Sequence, residues 1–160
     1  MRFWDIVMTA ATQGGGAAAG PPPELFPDPT LADVADGTNG WQFSNGPPTM
    51  GPTSGTGPGI SVVAGLDDDN AILIGTDDVD FAALITMGST YAVAITFANV
   101  SVSGTLAAGP GGATANFVAA NGTVTHNVVA GDPSGGNAWT MTNSTNGATY
   151  DITHISVKAA

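Results

Sequence analysis

The stretch YAVAITFANV, residues 91–100, carries the clearest strand signal in the chain. Large apolar side chains fall at every second position, at Tyr91, Val93, Ile95 and Phe97, and smaller side chains alternate with them. A period of two places successive side chains on opposite faces of a β-strand. The stretch therefore predicts a strand with one face in a hydrophobic core.

Shorter runs of the same kind, separated by turn residues, fill the rest of the chain. The other candidate strands are residues 30–34, 41–44, 60–64, 71–74, 102–107, 114–119, 123–129, 138–142 and 150–158. The pair Asn121-Gly122 lies between two of them and is a strong signal for a two-residue hairpin. About nine short strands at spacings of about ten residues predict an all-β fold, a jelly-roll β-sandwich, with a barrel as the alternative.

Strict alternation in the closing stretch predicts which side chains share a face. Tyr150, Ile152 and His154 would lie on one face of that strand, and Asp151 and Ile155 on the other.

Composition supports this class of fold. The chain has 160 residues, which suits one domain with a single core. Residues that favour exposed helices are scarce, whereas 23 Gly and 11 Pro require frequent turns. There is no cysteine, so disulfides and thiolate metal sites are excluded.

The charge balance excludes two classes of partner. Thirteen acidic residues face two basic ones, Arg2 and Lys158, for a formal net charge of −11. Nucleic acid and anionic membrane surfaces would be repelled, so neither is an expected partner. No run of about 18 apolar residues occurs, so no membrane-spanning helix is expected.

The first 27 residues differ in composition from the rest. They open with an apolar cluster of Phe3, Trp4, Ile6, Val7 and Met8, followed by flexible glycines at 14–16 and stiff prolines at 21–23. So small a cluster cannot form a core alone, and we expect another molecule to cover it. The sequence predicts an extended N-terminal anchoring arm at 1–27 and a sandwich at 28–160; a disordered tail is the alternative.

Three short stretches of the body share their pattern with a known family. They are DPTLADVADGTNGW at 28–41, MGSTYAVAITFANV at 87–100, and ATYDITHISVK at 148–158. Through them the body resembles carbohydrate-binding-module-like jelly rolls of the family 4/9 type. The resemblance implies a jelly-roll fold and a sugar-binding role. It also implies a structural calcium ion near Asp151, with the turn of the opening stretch supplying further oxygens.

The chain also resembles the jelly-roll domains of bacteriophage virion proteins, which a short N-terminal arm attaches to the particle. This likeness implies a structural accessory protein on the outer surface of the virion, such as a capsid decoration, cement or head-fibre protein. Its partners would be the major capsid protein or another virion subunit, and the chain would form a homo-oligomer. The alternatives are a carbohydrate-binding module with a surface glycan as its ligand, or a phage tail or baseplate component.

Residues suited to catalysis are few, and we do not expect an enzyme. Hydrolysis by paired carboxylates needs one acid in an apolar pocket beside an ionised partner. The acids here cluster in Asp-rich turns, and Glu24 is the only glutamate. No Gly-x-Ser-x-Gly motif occurs, and His126 and His154 lie within strand patterns. These two histidines could meet at a metal, although their spacing does not require it.

Calcium is the ion that the sequence favours most, and no cofactor is required. Oxygen donors are dense at 67–70 and 76–80, so Asp67 and Asp69 join Asp151 as candidate ligands. For a glycan, the candidate aromatic platform is Trp139, which follows a Gly-rich loop, together with Trp41. Core packing explains the same tryptophans without any ligand.

Overall fold

The computed structural model describes residues 20–32, 41–43, 49–50, 58–63, 73–76, 79–135, 138–143 and 145–160. For 41–43, 49–50 and 73–76 it describes the backbone alone. The apolar cluster of the predicted arm, from Phe3 to Met8, lies outside the described residues, as do the candidate calcium ligands Asp67 and Asp69.

The described strands form two antiparallel sheets. In chain order they are β1 (Trp41–Phe43), β2 (Thr49–Met50), β3 (Ile60–Val63), β4 (Leu73–Thr76), β5 (Thr90–Val102), β6 (Thr105–Pro110), β7 (Ala115–Val118), β8 (Gly122–Val129), β9 (Trp139–Asn143) and β10 (Thr149–Ala159). Sheet A has the order β1-β4-β9-β6-β7, and sheet B has the order β2-β3-β10-β5-β8. Because the strands divide into two separate sheets, the predicted all-β sandwich is confirmed and the barrel alternative is wrong.

The facing sides of the two sheets enclose one hydrophobic core. The alternation in β5 is confirmed, since Tyr91, Val93, Ile95 and Phe97 are at most 4% exposed. The fully buried side chains of sheet A include Leu106, Phe117, Trp139 and Met141. Burial of a side chain of this size stabilises the fold by about 1.5–3 kcal/mol.

A bulge in β10 changes which of its side chains face the core. Ile152 pairs with Phe97 and His154 with Thr96, so Thr153 is an extra residue that is not paired in register with any residue of β5. The extra residue shifts the alternation by one, and both Ile152 and Ile155 are fully buried. The predicted faces are therefore wrong after Ile152: Ile155 lies inside, and His154 lies on the outer face.

The turn at Asn121-Gly122 joins the two sheets. β7 pairs with β6 in sheet A, whereas β8 pairs with β5 in sheet B. Gly122 has a φ of +114°, and Oδ1 of Asn121 accepts a hydrogen bond from the Val100 N–H at 3.0 Å. The predicted hairpin is wrong because an Asn-Gly pair suits any sharp turn, whether or not the flanking strands pair with each other.

Two other segments differ from the prediction. In place of the start of a strand, residues 28–31 form a turn, in which Leu31 N–H donates to the Asp28 carbonyl at 3.0 Å. Leu31 has a φ of +57°, and Ala32 N–H donates to Oδ1 of Asp28 at 2.9 Å. Asp28 and Leu31 are both buried, so this turn is a fixed part of the body. In the stretch at 76–80, expected to be an oxygen-rich turn, Thr76 ends β4, and Val79 begins a short helix, α1 (Val79–Leu84), which Phe81 anchors in the core; residues 77–78 lie outside the described residues.

Residues 24–29, here called the N-terminal strap, run beside β10 where β3 no longer pairs with it. Leu25 N–H donates to the Val157 carbonyl, and Ile155 N–H donates to the Pro29 carbonyl, both at 2.9 Å. Oε1 of Glu24 also accepts a hydrogen bond from the Val157 N–H at 2.7 Å. The strap therefore supplies hydrogen bonds that a neighbouring strand would otherwise provide.

Phe26 fixes the strap to the core. It is 3% exposed, and its ring packs edge-on against Phe81 at 5.5 Å and Trp139 at 5.1 Å between ring centres. Residues 24–27, which the sequence assigned to the arm, thus belong to the folded body.

Candidate functional site

The outer face of sheet B presents side chains in regular rows across three neighbouring strands, β10, β5 and β8. Because directly paired residues share a face of the sheet, the strand registers define these rows. The three rows are His154–Thr96–Thr123, Ser156–Ala94–Thr125 and Lys158–Ala92–Asn127. We call these nine residues the outer-face array.

The centre of each row is an alanine or a threonine, and both ends of each row are polar side chains. The β5 column, Ala92, Ala94 and Thr96, is half-buried, whereas the β8 column, Thr123, Thr125 and Asn127, is exposed. Rows two residues apart are about 7 Å apart along the strands, and the strands lie about 4.8 Å apart. The array therefore covers about 13 by 10 Å, a shallow surface on the scale of a short chain molecule.

The polar groups of the array both donate and accept hydrogen bonds. Hydroxyls come from Ser156 and three threonines, an amide from Asn127, an imidazole from His154 and an ammonium from Lys158. The Oγ1 atoms of Thr96 and Thr123 lie 2.9 Å apart in a hydrogen bond on this exposed surface. This bond orders two hydroxyls of the first row.

Glu24 borders the array and is held by hydrogen bonds. Its Oε2 accepts from the Ser156 hydroxyl at 2.5 Å, and its Oε1 accepts from backbone N–H groups, including that of Phe26 at 3.0 Å. Its carboxylate therefore holds the strap in place, and its hydrogen bonds leave it poorly placed for acid–base catalysis. Lys158, a member of the array, supplies one positive charge. Glu24 at its edge and Asp151, which pairs with Ala98 beyond the first row, supply carboxylates.

Trp139 does not provide the predicted glycan platform. It is 0% exposed in the core of sheet A, where it contacts Phe26, because its strand position faces inward. The backbone of Trp41 pairs with Thr76 in sheet A, and its side chain lies outside the description. Every aromatic side chain that the structure describes is buried or nearly so, apart from the two histidines.

The two histidines lie on opposite sides of sheet B. His126 pairs with the inward-facing Val93 and packs its ring edge-on against Phe117 at 4.8 Å. His154 pairs with Thr96 and belongs to the outer-face array. They therefore do not converge on a metal. Within the described ranges, no three side chains of the His, Cys, Asp or Glu type gather at one place.

Asp151, the remaining candidate calcium ligand, is 1% exposed. Its Oδ1 accepts a hydrogen bond from the Ser61 hydroxyl at 2.5 Å, and its Oδ2 accepts one from Nδ2 of Asn99 at 2.6 Å. The aspartate thus links strands β3, β10 and β5.

Sequence reasoning did not find the outer-face array. The alternate positions of 91–100 and the polar residues of TVTHN at 123–127 carry its signal. Their assembly into rows depends on the pairing registers and on the bulge at Thr153, which no local pattern specifies.

The comparisons bear on the fold. No protein-family model and no curated protein matches the chain. Among solved structures, the chain is similar to the CBM22-1 xylan-binding domain from Paenibacillus barcinonensis Xyn10C, with a TM-score of 0.51 and 11% identity. The match covers 89% of this chain and 97% of that domain. The chain has a carbohydrate-binding-module-like fold. In the part of the chain that the structure describes, no helix is long and apolar enough to cross a membrane.

Proposed function

We propose that this chain is a non-catalytic module that binds a neutral polysaccharide on the outer-face array of sheet B. The observation that carries the proposal is the arrangement of the array, with polar side chains on both sides of a small-residue centre. This function was the alternative that the sequence left open, and the similarity to a xylan-binding domain adds to its support.

The chemistry of the array suits sugar hydroxyls, which donate and accept hydrogen bonds. Asn127 and His154 lie on opposite sides of the central strand, so a chain lying along β5 meets a polar group from each side. The methyl groups of Ala92 and Ala94 let a sugar ring approach the sheet and pack its C–H face there.

Charge favours a neutral ligand over an acidic one. The protein carries a net charge of −11, and Glu24 borders the array close to Ser156. Asp151 pairs with Ala98, just beyond the first row, and adds a second carboxylate. Lys158 therefore leaves no excess of positive charge for a uronate-rich chain.

Binding should be weak, because the array holds no Trp, Tyr or Phe ring for a sugar to stack upon, and the smaller imidazole of His154 is its only aromatic group. A few hydrogen bonds contribute about 0.5–1.5 kcal/mol each, and association itself is costly. We therefore expect a Kd on the order of 1 mM for a short oligosaccharide, with stronger retention by a long polymer that offers many equivalent sites.

Affinity gel electrophoresis against soluble neutral polysaccharides, with xylan among them, tests the proposal. At least one polymer should retard the wild-type chain, and Asn127→Ala combined with His154→Ala should remove the retardation. The matched control is Asn116→Ala, an exposed asparagine on the outer face of sheet A. Failure of every neutral polymer to retard the chain would refute the proposal, as would equal retardation of the double variant.

The virion hypothesis has no such support. It depends on the arm cluster around Phe3 and Trp4, which lies outside the described residues, and the comparisons do not link the chain to a phage particle. Capsid binding, a homo-oligomer and a place on a virion surface stay predictions from the sequence.

A further inference from the structure

The family resemblance implies a calcium ion near Asp151, and the groups around this residue show whether such an ion would fit there. Calcium takes six to eight oxygen ligands, usually several carboxylates together with carbonyls and water. A residue set that fits calcium therefore presents oxygen lone pairs toward a common point, and groups that present hydrogen atoms there do not fit.

Among the described side chains, each carboxylate oxygen of Asp151 accepts a hydrogen bond. The Ser61 hydroxyl donates to Oδ1 and the Asn99 amide nitrogen donates to Oδ2, at 2.5 and 2.6 Å. Hydrogen bonds donated to an ionised carboxylate are charge-assisted and stronger than those between neutral groups. Both neighbours thus direct hydrogen atoms at the carboxylate from the strands on either side of β10.

The backbone of β5 is shaped to bring Asn99 to this position. Ala98 pairs with Asp151 and Val102 with Thr149, so β5 has two more residues than β10 between these pairs. Asn99 lies in this irregular segment with a φ of +51°, a left-handed conformation that asparagine adopts more readily than most residues.

We infer that Ser61 and Asn99 take the place of a calcium ion beside Asp151, so that this carboxylate pins three strands of sheet B without a metal. A buried carboxylate needs compensation for the loss of its hydration, and two short hydrogen bonds provide it. The described donor set does not fit the calcium site that the resemblance implies, so we expect the fold to be equally stable without the ion.

Thermal unfolding of the full chain tests this inference. The melting temperature in excess EGTA should equal that in millimolar CaCl2 within about 1 °C, with MgCl2 at the same concentration as the control for screening of the acidic surface. A calcium-specific rise of several degrees that Asp151→Asn abolishes would overturn the inference.

A second variant isolates the hydrogen bond itself. Asn99→Gly keeps the left-handed backbone available and removes the amide donor. It should lower the melting temperature by about 2–6 °C, and CaCl2 should not restore it. Recovery of the lost stability by calcium but not by magnesium would mean that a metal occupies the place of the amide, which contradicts the inference. These measurements do not depend on glycan binding.

Discussion

The hydroxyl of Tyr150 in β10 donates a hydrogen bond to Oδ1 of Asn143 in β9 at 3.0 Å, and this bond joins the two sheets through the core. Both residues are buried, at 1% and 2% exposure. Nδ2 of Asn143 in turn donates to the Thr145 carbonyl at 2.9 Å, so the amide is held in the orientation that accepts from Tyr150. The contact ties the closing strand to sheet A.

Tyr150→Phe should destabilise the fold at neutral pH. The change removes the donor and leaves Oδ1 of Asn143 buried with no hydrogen from the ring, which costs about 1–3 kcal/mol. Urea unfolding followed by far-UV circular dichroism measures the loss. A variant as stable as the wild type would mean that the bond does not hold the sheets together.

The same tyrosine predicts a loss of stability in alkali. Burial raises the pKa of Tyr150 above its ordinary value of 10.0. Above about pH 10 the unfolded chain releases a proton that the folded chain keeps, so the free energy of unfolding falls by up to about 1.4 kcal/mol per pH unit. Below that pH both states keep the proton and the contribution is constant. Urea unfolding at about pH 9, 10 and 11 should show a smaller decline for Tyr150→Phe than for the wild type; parallel declines would contradict this prediction.

Gly111 should tolerate no side chain. A Cβ at Gly111 would lie 2.5 Å from the Gly131 carbonyl oxygen, and its φ is +65°. Gly88 has a similar φ of +79°, and no described atom lies within 4 Å of its Cβ position, so it is a control for the backbone conformation alone. Gly88→Ala should cost about 1–2 kcal/mol, and Gly111→Ala about 1–3 kcal/mol more because of the clash. Chemical denaturation measures the loss of stability in both variants. Equal losses would mean that the backbone segments at Gly111 and Gly131 move apart at little cost, which contradicts the prediction.

The strap, with Phe26 as its anchor in the core, should belong to the folded body, and residues 1–19 should not be needed for its stability. Removing residues 1–19 should leave the melting temperature nearly unchanged, because the strap at 24–29 stays in place. Phe26→Ala should lower the free energy of unfolding by about 3–5 kcal/mol, and Leu84→Ala, at a 52% exposed position, is the control. A large loss of stability on removing 1–19 would instead assign the arm a structural role in the body.

Strand β5 could be predicted from the sequence, because its apolar alternation is a local pattern. The alternation of Tyr91, Val93, Ile95 and Phe97 survives unchanged in β5, because all four residues meet the core. The alternation in β10 does not survive, because the bulge at Thr153 lets Ile152 and Ile155 both reach the core. A bulge depends on the packing between strands, so it cannot be predicted from a short stretch of sequence.

The candidate site was less predictable for a related reason. Trp139 was a natural choice for a sugar platform, yet a large aromatic side chain is more strongly stabilised by burial than by exposure at a rim. Most residues of the outer-face array are small, such as Ala94 and Thr125, and none of them alone indicates a binding site. Their rows emerge from the registers of β10, β5 and β8.

The most direct test of the central claim is an NMR titration that locates the bound sugar on the sandwich. The 15N-labelled chain is titrated with an oligosaccharide from the neutral polymer that retards it most, or with a xylan fragment if retardation is equal. Binding at the outer-face array predicts shifts that concentrate on the backbone amides of Ala92, Ala94, Thr125, Asn127 and Ser156. Shifts that concentrate on sheet A, around Asn116 and Thr142, or no shift at saturating sugar, would contradict the account.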